Sequence, residues 1–600
     1  MNQLKVQVKD YNGIIAKFFK AISVEQIEVI YESIEWGYRQ TFWDIIDQFK
    51  MFNIISADVL KRIAQENAND FRAILKCGFI VEKFKGIIRD ILLSKSDSAH
   101  IIIDKYIARH NSPSDRELFL PSNLTMEDKE YIISRYLESD SPNLNYVRLI
   151  CQNKDEQKNL ILSPLIKVKA NKLAEKLNDE LMNDERTVIV EQKVGIEFSN
   201  IEGIKPCSFK MENDIPKYTY SVRFIKQCDN VQLIANSCYL FNWMNRHFLL
   251  ELINKNSEVD VLESIAFDMS KNAYPAFNYF LTKNRISLCQ LCGYNDILTG
   301  MQTSVEQELK KFYEVHLKDK YNYPSLVLNF PNVTDSWLNK CRVLLPELDS
   351  VVKQYNTYVE YDEVDIDIIK YSKPLKVTEG KSLLINKYFE INKDNIDISR
   401  VLYNMFASGA MLNYVEPYKD KHYHCLYDLL SNENSVSYNN YEDDQKHEID
   451  FLVNQNILKK DDNGLLSLFN IEQTIALQSL WEYHACAYWH YNTEGRNALD
   501  EMFTKGWVVK KDNLLTTEER KYFSYCLDNS EFTNGLAYRN HYAHGSTPPK
   551  DNENIHQTAY FTILKLLTIL ILKIEDDLWS ASKALSIGVE ELNKIHDIIE

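Results

Sequence analysis

The sequence contains little glycine and proline, at 16 and 14 residues of 600. A chain with so little of both residues does not have the composition of a disordered protein. Hydrophobic residues make up 45% of the chain and aromatic residues 12%, which is too much apolar side chain for an intrinsically disordered protein. The composition therefore predicts an ordered and helix-rich globular protein.

Glycine-based catalytic motifs are also absent. The sequence has no G-x-x-x-x-G-K-[ST], no G-x-G-x-x-G and no G-x-S-x-G. The first two cradle phosphate groups on backbone amides, and the third presents a nucleophilic serine at a sharp turn. Their absence argues against a P-loop NTPase, a Rossmann dehydrogenase and an α/β-hydrolase.

Basic residues are also fewer than acidic residues. The chain has 69 Lys and Arg residues against 86 Asp and Glu residues, which gives a formal net charge of −17. Nucleic-acid binding depends on cations that displace counterions from phosphates. Binding through the whole surface is therefore excluded, and any nucleic-acid site must be local.

Signals for secretion or membrane insertion are missing too. The 11 cysteines are scattered and odd in number, and the N-terminus lacks a basic-then-apolar leader, so a cytoplasmic location is expected. The most apolar run, residues 559–574, is short for a bilayer span and carries Lys565 in its middle. It is expected to form a buried helix, and no membrane partner is predicted.

A chain of 600 residues is too long for one hydrophobic core, so several domains are expected. The predicted fold class is mainly α, divided into four regions. These regions are an N-terminal helical region (1–186), a central mixed α/β domain (187–395), a small winged-helix-like connector (396–470) and a C-terminal helical bundle (471–600).

The spacing of apolar residues underlies this division. Helical spacing occurs in "VEQIEVIYESI", whereas "TVIVEQKVGIEF", "YTYSVRFI" and "YVEYDEVDIDIIKY" have the alternation of strands. The segment "HEIDFLVNQNILKKDDNGLLSLF" predicts a helix followed by a hairpin, with Asp-Asn-Gly at the turn. Because Lys459 and Lys460 are followed by Asp461 and Asp462, a connector fits this unit better than a DNA-binding wing.

Two groups of residues have the character of metal ligands. Glu363, Asp365 and Asp367 would share one face of a strand, where they could hold a divalent cation or simply be solvated. Cys289 and Cys292 have zinc-knuckle spacing, but the next candidate ligands, in "KHYHC", are more than a hundred residues further along. No metal site is predicted from either group.

The segment "LAYRNHYAHGSTPP" (536–549) concentrates polar residues at a predicted helix end. Gly545 occupies the position of a C-terminal helix glycine and two prolines follow, so the helix is predicted to end at His544. Asn540 and His544 are four residues apart and share a helical face, whereas Arg539, five before His544, points partly away. A second copy related by a two-fold axis could bring its arginine and histidine alongside.

These residue types suit the cleavage of a phosphodiester without a metal. Arg539 is permanently charged and presents a planar fork that matches phosphate oxygens, and Asn540 can orient the group being transferred. The helix dipole is expected to raise the pKa of His544 toward neutrality or above, so that His544 could remove the proton of a ribose 2′-hydroxyl or protonate the leaving oxygen. The competing interpretation is a polar helix end, since an arginine and a histidine at this spacing arise about once by chance in such a chain.

The stretch "FTNGLAYRNHYAHGS" resembles the HEPN superfamily, whose ribonucleases carry R-x4-6-H, and in particular its RNxxxHG branch. Arg539, Asn540, His544 and Gly545 match that signature. The resemblance covers about the last 130 residues of the chain. It implies a helical bundle that forms a homodimer, and a composite site that cleaves RNA without a metal or any other cofactor.

The resemblance also implies a biological setting and a competing function. Many similar proteins act in toxin–antitoxin or abortive-infection systems against phage, with an N-terminal region that would sense a phage-derived or small-molecule trigger. His541 and Tyr542 are candidate accessory residues, and Tyr538 or Tyr542 could be modified in regulation. The expected function is thus a defence endoribonuclease with Arg539 and His544 in catalysis. The alternative is a non-catalytic HEPN-like scaffold for dimerisation or ligand sensing.

Overall fold

A computed structural model gives the fold. It describes residues 13–14, 17–19, 21–23, 26–109, 117–153, 159–184, 193–203, 205–213, 215–259, 269–373, 375–543 and 552–599, with side chains as far as Ser586. About 61% of the chain is helix and 8% is strand, which confirms the mainly α prediction. The chain divides into two compact units, Met1–Val190 with Asp260–Ala273 and Glu191–Val259 with Tyr274–Glu600.

The described part of the first unit is built from short amphipathic helices. Its helices are α1 Ile27–Ser33, α2 Arg39–Gln48, α3 Ala57–Glu66, α4 Ala68–Leu75, α5 Gly78–Lys83, α6 Lys85–Ser94, α7 Ser98–Tyr106, α8 Met126–Leu137, α9 Leu144–Cys151 and α10 Pro164–Asn183. Helix α3 illustrates why they form: Ser56 caps its first turn by accepting from the Val59 N–H, and the apolar residues at helical spacing are buried. The described residues of this part of the chain are thus mainly helical.

The second unit combines helices with small sheets. Its helices are α11 Val222–Gln227, α12 Asn230–Tyr239, α13 Asn278–Gly300, α14 Val305–Lys311, α15 Leu317–Tyr321, α16 Trp337–Tyr361, α17 Ile366–Tyr371, α18 Ile396–Phe406, α19 Leu426–Asn432, α20 Asp443–Asn454, α21 Ile471–Tyr483, α22 Thr493–Thr504, α23 Thr517–Leu527, α24 Tyr538–Tyr542 and α25 Glu553–Ile599. Its strands are β1 Gly195–Ser199, β2 Cys207–Glu212, β3 Ile215–Ser221, β4 Tyr388–Ile391, β5 Leu458–Lys460, β6 Leu466–Leu468, β7 Ala485–Ala487 and β8 Val508–Lys511.

The strands form three small sheets in the described residues. Their orders are β1-β3-β2, β7-β4-β8 and the hairpin β5-β6. Strand β3 pairs in parallel with β1 and antiparallel with β2. The predicted strand "YTYSVRFI" ends at Ser221, because the Ser221 hydroxyl accepts from the Phe224 N–H at 3.3 Å and starts helix α11 there.

The strand predicted in "YVEYDEVDIDIIKY" is wrong. Helix α16 continues to Tyr361 and α17 begins at Ile366. The Asp365 carboxylate caps α17 by accepting from Asp367 N–H at 2.6 Å and Ile368 N–H at 3.1 Å. Capping chemistry and the burial of α16 outweigh the alternation, so Glu363, Asp365 and Asp367 do not share the face of a strand.

The predicted helix and hairpin are confirmed. Helix α20 is followed by the antiparallel pair β5 and β6. Gly464 closes the turn with a φ of +79°, and its N–H donates to the Asp461 carbonyl at 2.9 Å. The left-handed conformation at Gly464 is the reason that the turn requires glycine. Whether residues 396–470 act as a connector stays a prediction.

Helix α25 is the central core helix of the second unit. It is long and apolar enough to cross a membrane by length and composition, but most of its apolar stretch is buried inside the protein. Lys565 lies in this stretch and donates to Asn284 Oδ1 at 3.2 Å and to Ser287 Oγ at 2.9 Å. These two acceptors compensate for placing a lysine in the core.

The helices after residue 471 are shared between two cores. Helices α21 and α22 pack with β4, α18, α19 and α20 in one apolar cluster. Helices α23 and α25 pack with α13 and α16 in another. The C-terminal segment therefore buries its apolar faces against earlier parts of the chain, which brings α16 beside the motif helix α24.

Candidate active site

Helix α24 carries Arg539 and is held in place by the loop that precedes it. The Asn534 side chain accepts from the Tyr274 N–H and donates to the Tyr274 carbonyl, both at 2.8 Å. At Gly535 an added Cβ would lie 2.9 Å from the Tyr525 carbonyl oxygen, a distance that only glycine avoids. Ala537 then adopts a left-handed conformation with φ 52° and caps α24. The chain thus enters α24 at a defined angle.

The Arg539 side chain lies between two carboxylates. Its guanidinium forms an ion pair with Asp349 of α16, and its Nη1 atom is 3.8 Å from Asp528 Oδ2. Asp528 is itself held, because its Oδ1 accepts from the Ser530 N–H at 3.1 Å. The Arg539 side chain is 13% exposed, and its buried Nε has no partner among the described residues. The guanidinium is thus held by one close ion pair and a second, longer electrostatic contact.

The electrostatics of this ion pair are balanced between opposing effects. Burial raises the pKa of Asp349, Arg539 lowers it, and the neighbouring Asp528 raises it again, so that the net shift is upward. A raised pKa means that the charged carboxylate is less stable here than in water. Asp349 therefore takes up a proton, and loses its charge, more readily than an ordinary surface carboxylate does.

Tyr542, a candidate accessory residue, anchors α24 in the core. It is 5% exposed, and its hydroxyl lies 3.0 Å from Nδ1 of His556, which is fully buried in the first turn of α25. The Cys341 thiol of α16 donates to the His556 carbonyl at 3.3 Å. Burial raises the pKa of Tyr542. Its contacts are those of a packing residue that ties α24 to α16 and α25.

Changing Tyr542 to phenylalanine tests this role. The change would leave Nδ1 of His556 buried without a partner, so we expect a loss of about 1–3 kcal/mol in the stability of the second unit. Thermal unfolding would measure it, with Tyr239→Phe, at a tyrosine that is 63% exposed, as the matched control. An unchanged melting temperature, or a loss of activity in a fully folded variant, would argue against a packing role.

The remaining motif residues divide into those described and those outside the described part. Asn540 and His541 are half-buried on α24. His544 and Gly545 lie outside the described residues, as does the predicted sharing of one helical face by Asn540 and His544. Within the described residues α24 ends at Tyr542, before the predicted helix end at His544.

No family model, no curated protein and no solved structure matches this chain. Among the described residues, no group of three or more His, Cys, Asp or Glu side chains is placed to hold a metal ion. Cys289 and Cys292 both lie on helix α13, and "KHYHC" precedes helix α19. The chemistry of the site must therefore be argued from the motif residues themselves.

Sequence reasoning did not find the residues that surround Arg539. Asp349 is 190 positions away from Arg539 in the chain, and no local pattern links the two. Asp528 lies closer, at the end of α23, but resembles any acidic residue in a turn. His556 comes after two prolines, in the first turn of the apolar helix α25, and the local sequence predicts a surface position for it. Only the packing of α24 against α16, α23 and α25 brings these three side chains to the motif.

Proposed function

We propose that this chain is a metal-independent endoribonuclease of the HEPN type, located in the cytoplasm and acting in defence against phage. Arg539 and His544 are the catalytic residues and Asn540 orients them. The observation that supports this proposal best is the placement of Arg539: two carboxylates orient its guanidinium, and it lies five residues before His544 in the chain. An arginine oriented by its neighbours binds phosphate in a defined plane.

The proposed reaction is attack by the ribose 2′-oxygen on the neighbouring phosphorus. A base takes the proton of the 2′-hydroxyl, the new O–P bond forms, and the bond from phosphorus to the 5′-oxygen breaks. An acid gives a proton to the departing 5′-oxygen, and Arg539 stabilises the charge on the phosphate oxygens. One His544 per chain supplies one of the two proton-transfer groups. A homodimer would supply the second from the His544 of the other copy.

The acidic surroundings of Arg539 fit an enzyme that is kept inactive until it is triggered. Asp349 and Asp528 compete with an RNA phosphate for the same guanidinium. A trigger sensed by the N-terminal part of the chain, such as a phage component or a small molecule, would favour the state in which Arg539 is released to RNA. Binding energy that differs between the two states is what shifts such an equilibrium.

The test of this proposal is cleavage of total RNA by the full-length chain in EDTA. We expect His544→Ala to lower the cleavage rate by about 10²–10⁴-fold, because general acid–base groups contribute about that much. The matched control is His447→Ala, at an exposed histidine of helix α20, which should cleave as the wild type does. Equal rates for His544→Ala and the wild type would contradict the proposal.

A second function is favoured by two contacts. The contact of Tyr542 with His556 and the ion pair of Arg539 with Asp349 tie the motif into the core, as in a HEPN-like scaffold for dimerisation or ligand sensing. A wild-type chain that forms dimers but cleaves no RNA, in infected as well as uninfected cells, would favour the scaffold. Survival of infected cells that depends on His544 together with RNA loss would favour the enzyme.

A further inference from the structure

A groove with a volume of about 790 Å³ runs between helices α16 and α17. Its lining includes two lysines, Lys353 and Lys373, and two tyrosines, Tyr361 and Tyr371. It also includes the carboxylates Glu360 and Asp367. None of these residues belongs to the motif around Arg539, and the sequence prediction placed this segment in a strand. The groove exists only because residues 358–371 form two helices with a turn between them.

One face of α16 carries both the partner of Arg539 and part of the groove lining. Asp349, which pairs with Arg539, is followed at helical spacing by Lys353, Asn356 and Glu360, all of which line the groove. Residues that are four, seven and eleven positions apart lie on the same face of a helix. At 1.5 Å of rise per residue, this face is about 17 Å long from Asp349 to Glu360. That length matches about five stacked nucleotides at 3.4 Å each.

The carboxylates of the groove pair with lysines outside its lining, so Lys353 and Lys373 remain available to bind a ligand. Glu360 is paired with Lys381 at 2.6 Å, and Asp367 is paired with Lys370 at 3.3 Å. Neither Lys353 nor Lys373 forms an ion pair with another residue that the structure describes. In a chain with a net charge of −17, two unpaired lysines beside neutralised carboxylates form a local site that can accept phosphates.

The tyrosines of the groove are exposed to an unusual degree. Tyr371 is 91% exposed and Tyr361 is 59% exposed. Aromatic rings usually bury most of their surface, and an exposed pair on a groove marks a binding surface. Rings on which successive bases stack, combined with cations that follow the backbone, are the general means of binding single-stranded nucleic acid.

We propose that this groove binds a single strand of RNA and leads it to Arg539. The bases stack on Tyr361 and Tyr371, while Lys353 and Lys373 contact the phosphates. This assignment rests on the proposed ribonuclease function, since it takes Arg539 as the point of cleavage. A duplex is disfavoured because its bases are already stacked on each other and cannot reach the tyrosine rings.

The experiment measures the binding of a fluorescein-labelled single-stranded 12-mer RNA to full-length protein that carries His544→Ala, so that the RNA stays intact. We expect Tyr371→Ala to weaken binding roughly tenfold, and Lys353→Ala with Lys373→Ala to weaken it by a similar factor and to reduce its salt dependence. The matched control is Tyr239→Ala, at a tyrosine that is 63% exposed on helix α12. It should bind as the parent does.

The outcomes separate the groove from the reaction. If the wild type cleaves RNA and the groove variants, with His544 intact, bind and cleave equally well, the groove proposal is overturned while the ribonuclease stands. If no cleavage occurs but binding depends on Tyr371, the ribonuclease fails and the RNA groove stands. Equal, Tyr371-dependent binding of a duplex of the same length would overturn the assignment to single strands. Because Tyr371 is 91% exposed, its substitution should leave the melting temperature unchanged.

Discussion

Replacing Arg539 with alanine is expected to lower RNA cleavage by about 10²–10³-fold, mainly in kcat. In the proposed reaction the guanidinium stabilises charge that develops on the phosphate oxygens as the 2′-oxygen attacks. An interaction made chiefly in the transition state affects kcat more than KM. The matched control is Arg223→Ala, at an arginine whose side chain is 64% exposed, for which we expect no change in rate.

The lysine variant separates charge from geometry at this position. Arg539→Lys keeps the positive charge between Asp349 and Asp528 but loses the planar fork. We expect it to fold as the wild type does and yet to remain at least about tenfold slower, because bidentate contact with phosphate is lost. If Arg539→Lys restores full activity, only charge matters here. If both variants cleave at the wild-type rate, Arg539 is a structural residue and the ribonuclease proposal loses its main support.

Replacing Asp577 with asparagine is expected to destabilise the second unit by about 3–5 kcal/mol. Asp577 of α25 is fully buried. Its carboxylate accepts from Tyr355 Oη at 2.6 Å, from Ser382 Oγ at 2.6 Å and from the Leu383 N–H at 2.8 Å, and it pairs with Lys387 at 2.9 Å. Removing the charge leaves the buried Lys387 partly uncompensated. Breaking a buried pair costs far more than breaking an exposed one.

The charges around Asp577 determine the pH range in which this cluster is stable. Burial tends to raise the pKa of Asp576, but Lys387 and His490 outweigh burial and hold that pKa below its ordinary 3.8. Burial tends to lower the pKa of Lys387, but Asp577 and Asp576 outweigh it and raise that pKa above 10.5. A lowered carboxylate pKa contributes stability that is lost below about pH 4, and a raised lysine pKa contributes stability that is lost above about pH 10.

Thermal unfolding at pH 7 would measure the effect of Asp577→Asn, and we expect the transition of the second unit to fall by several degrees, about 5 °C or more. The matched control is Asp443→Asn, which removes an exposed ion pair with Lys446 at 3.8 Å. It should lower the stability of the second unit by less than about 1 kcal/mol. A loss from Asp577→Asn no larger than the loss from Asp443→Asn would contradict a charge-based role for Asp577.

Local patterns predicted individual elements well and their environment poorly. The hairpin of β5 and β6 followed from one Asp-Asn-Gly turn between apolar runs, because a turn of this kind depends on neighbouring residues alone. The strand predicted for residues 358–371 is wrong because alternating apolar residues also occur where two helices meet. The N-cap at Asp365 decides between the two, and its effect depends on the helix that it caps.

The sequence by itself determined that the protein is mainly helical, that apolar residues 559–574 form a buried helix, and that Arg539, Asn540, His544 and Gly545 form a single candidate motif. The tertiary structure alone decided that Arg539 pairs with Asp349, 190 positions away in the chain, and that a groove forms between α16 and α17. The physical reason is the range of the forces involved. Turns, caps and apolar periodicity act between near neighbours, whereas ion pairs and grooves form wherever packing brings distant segments together.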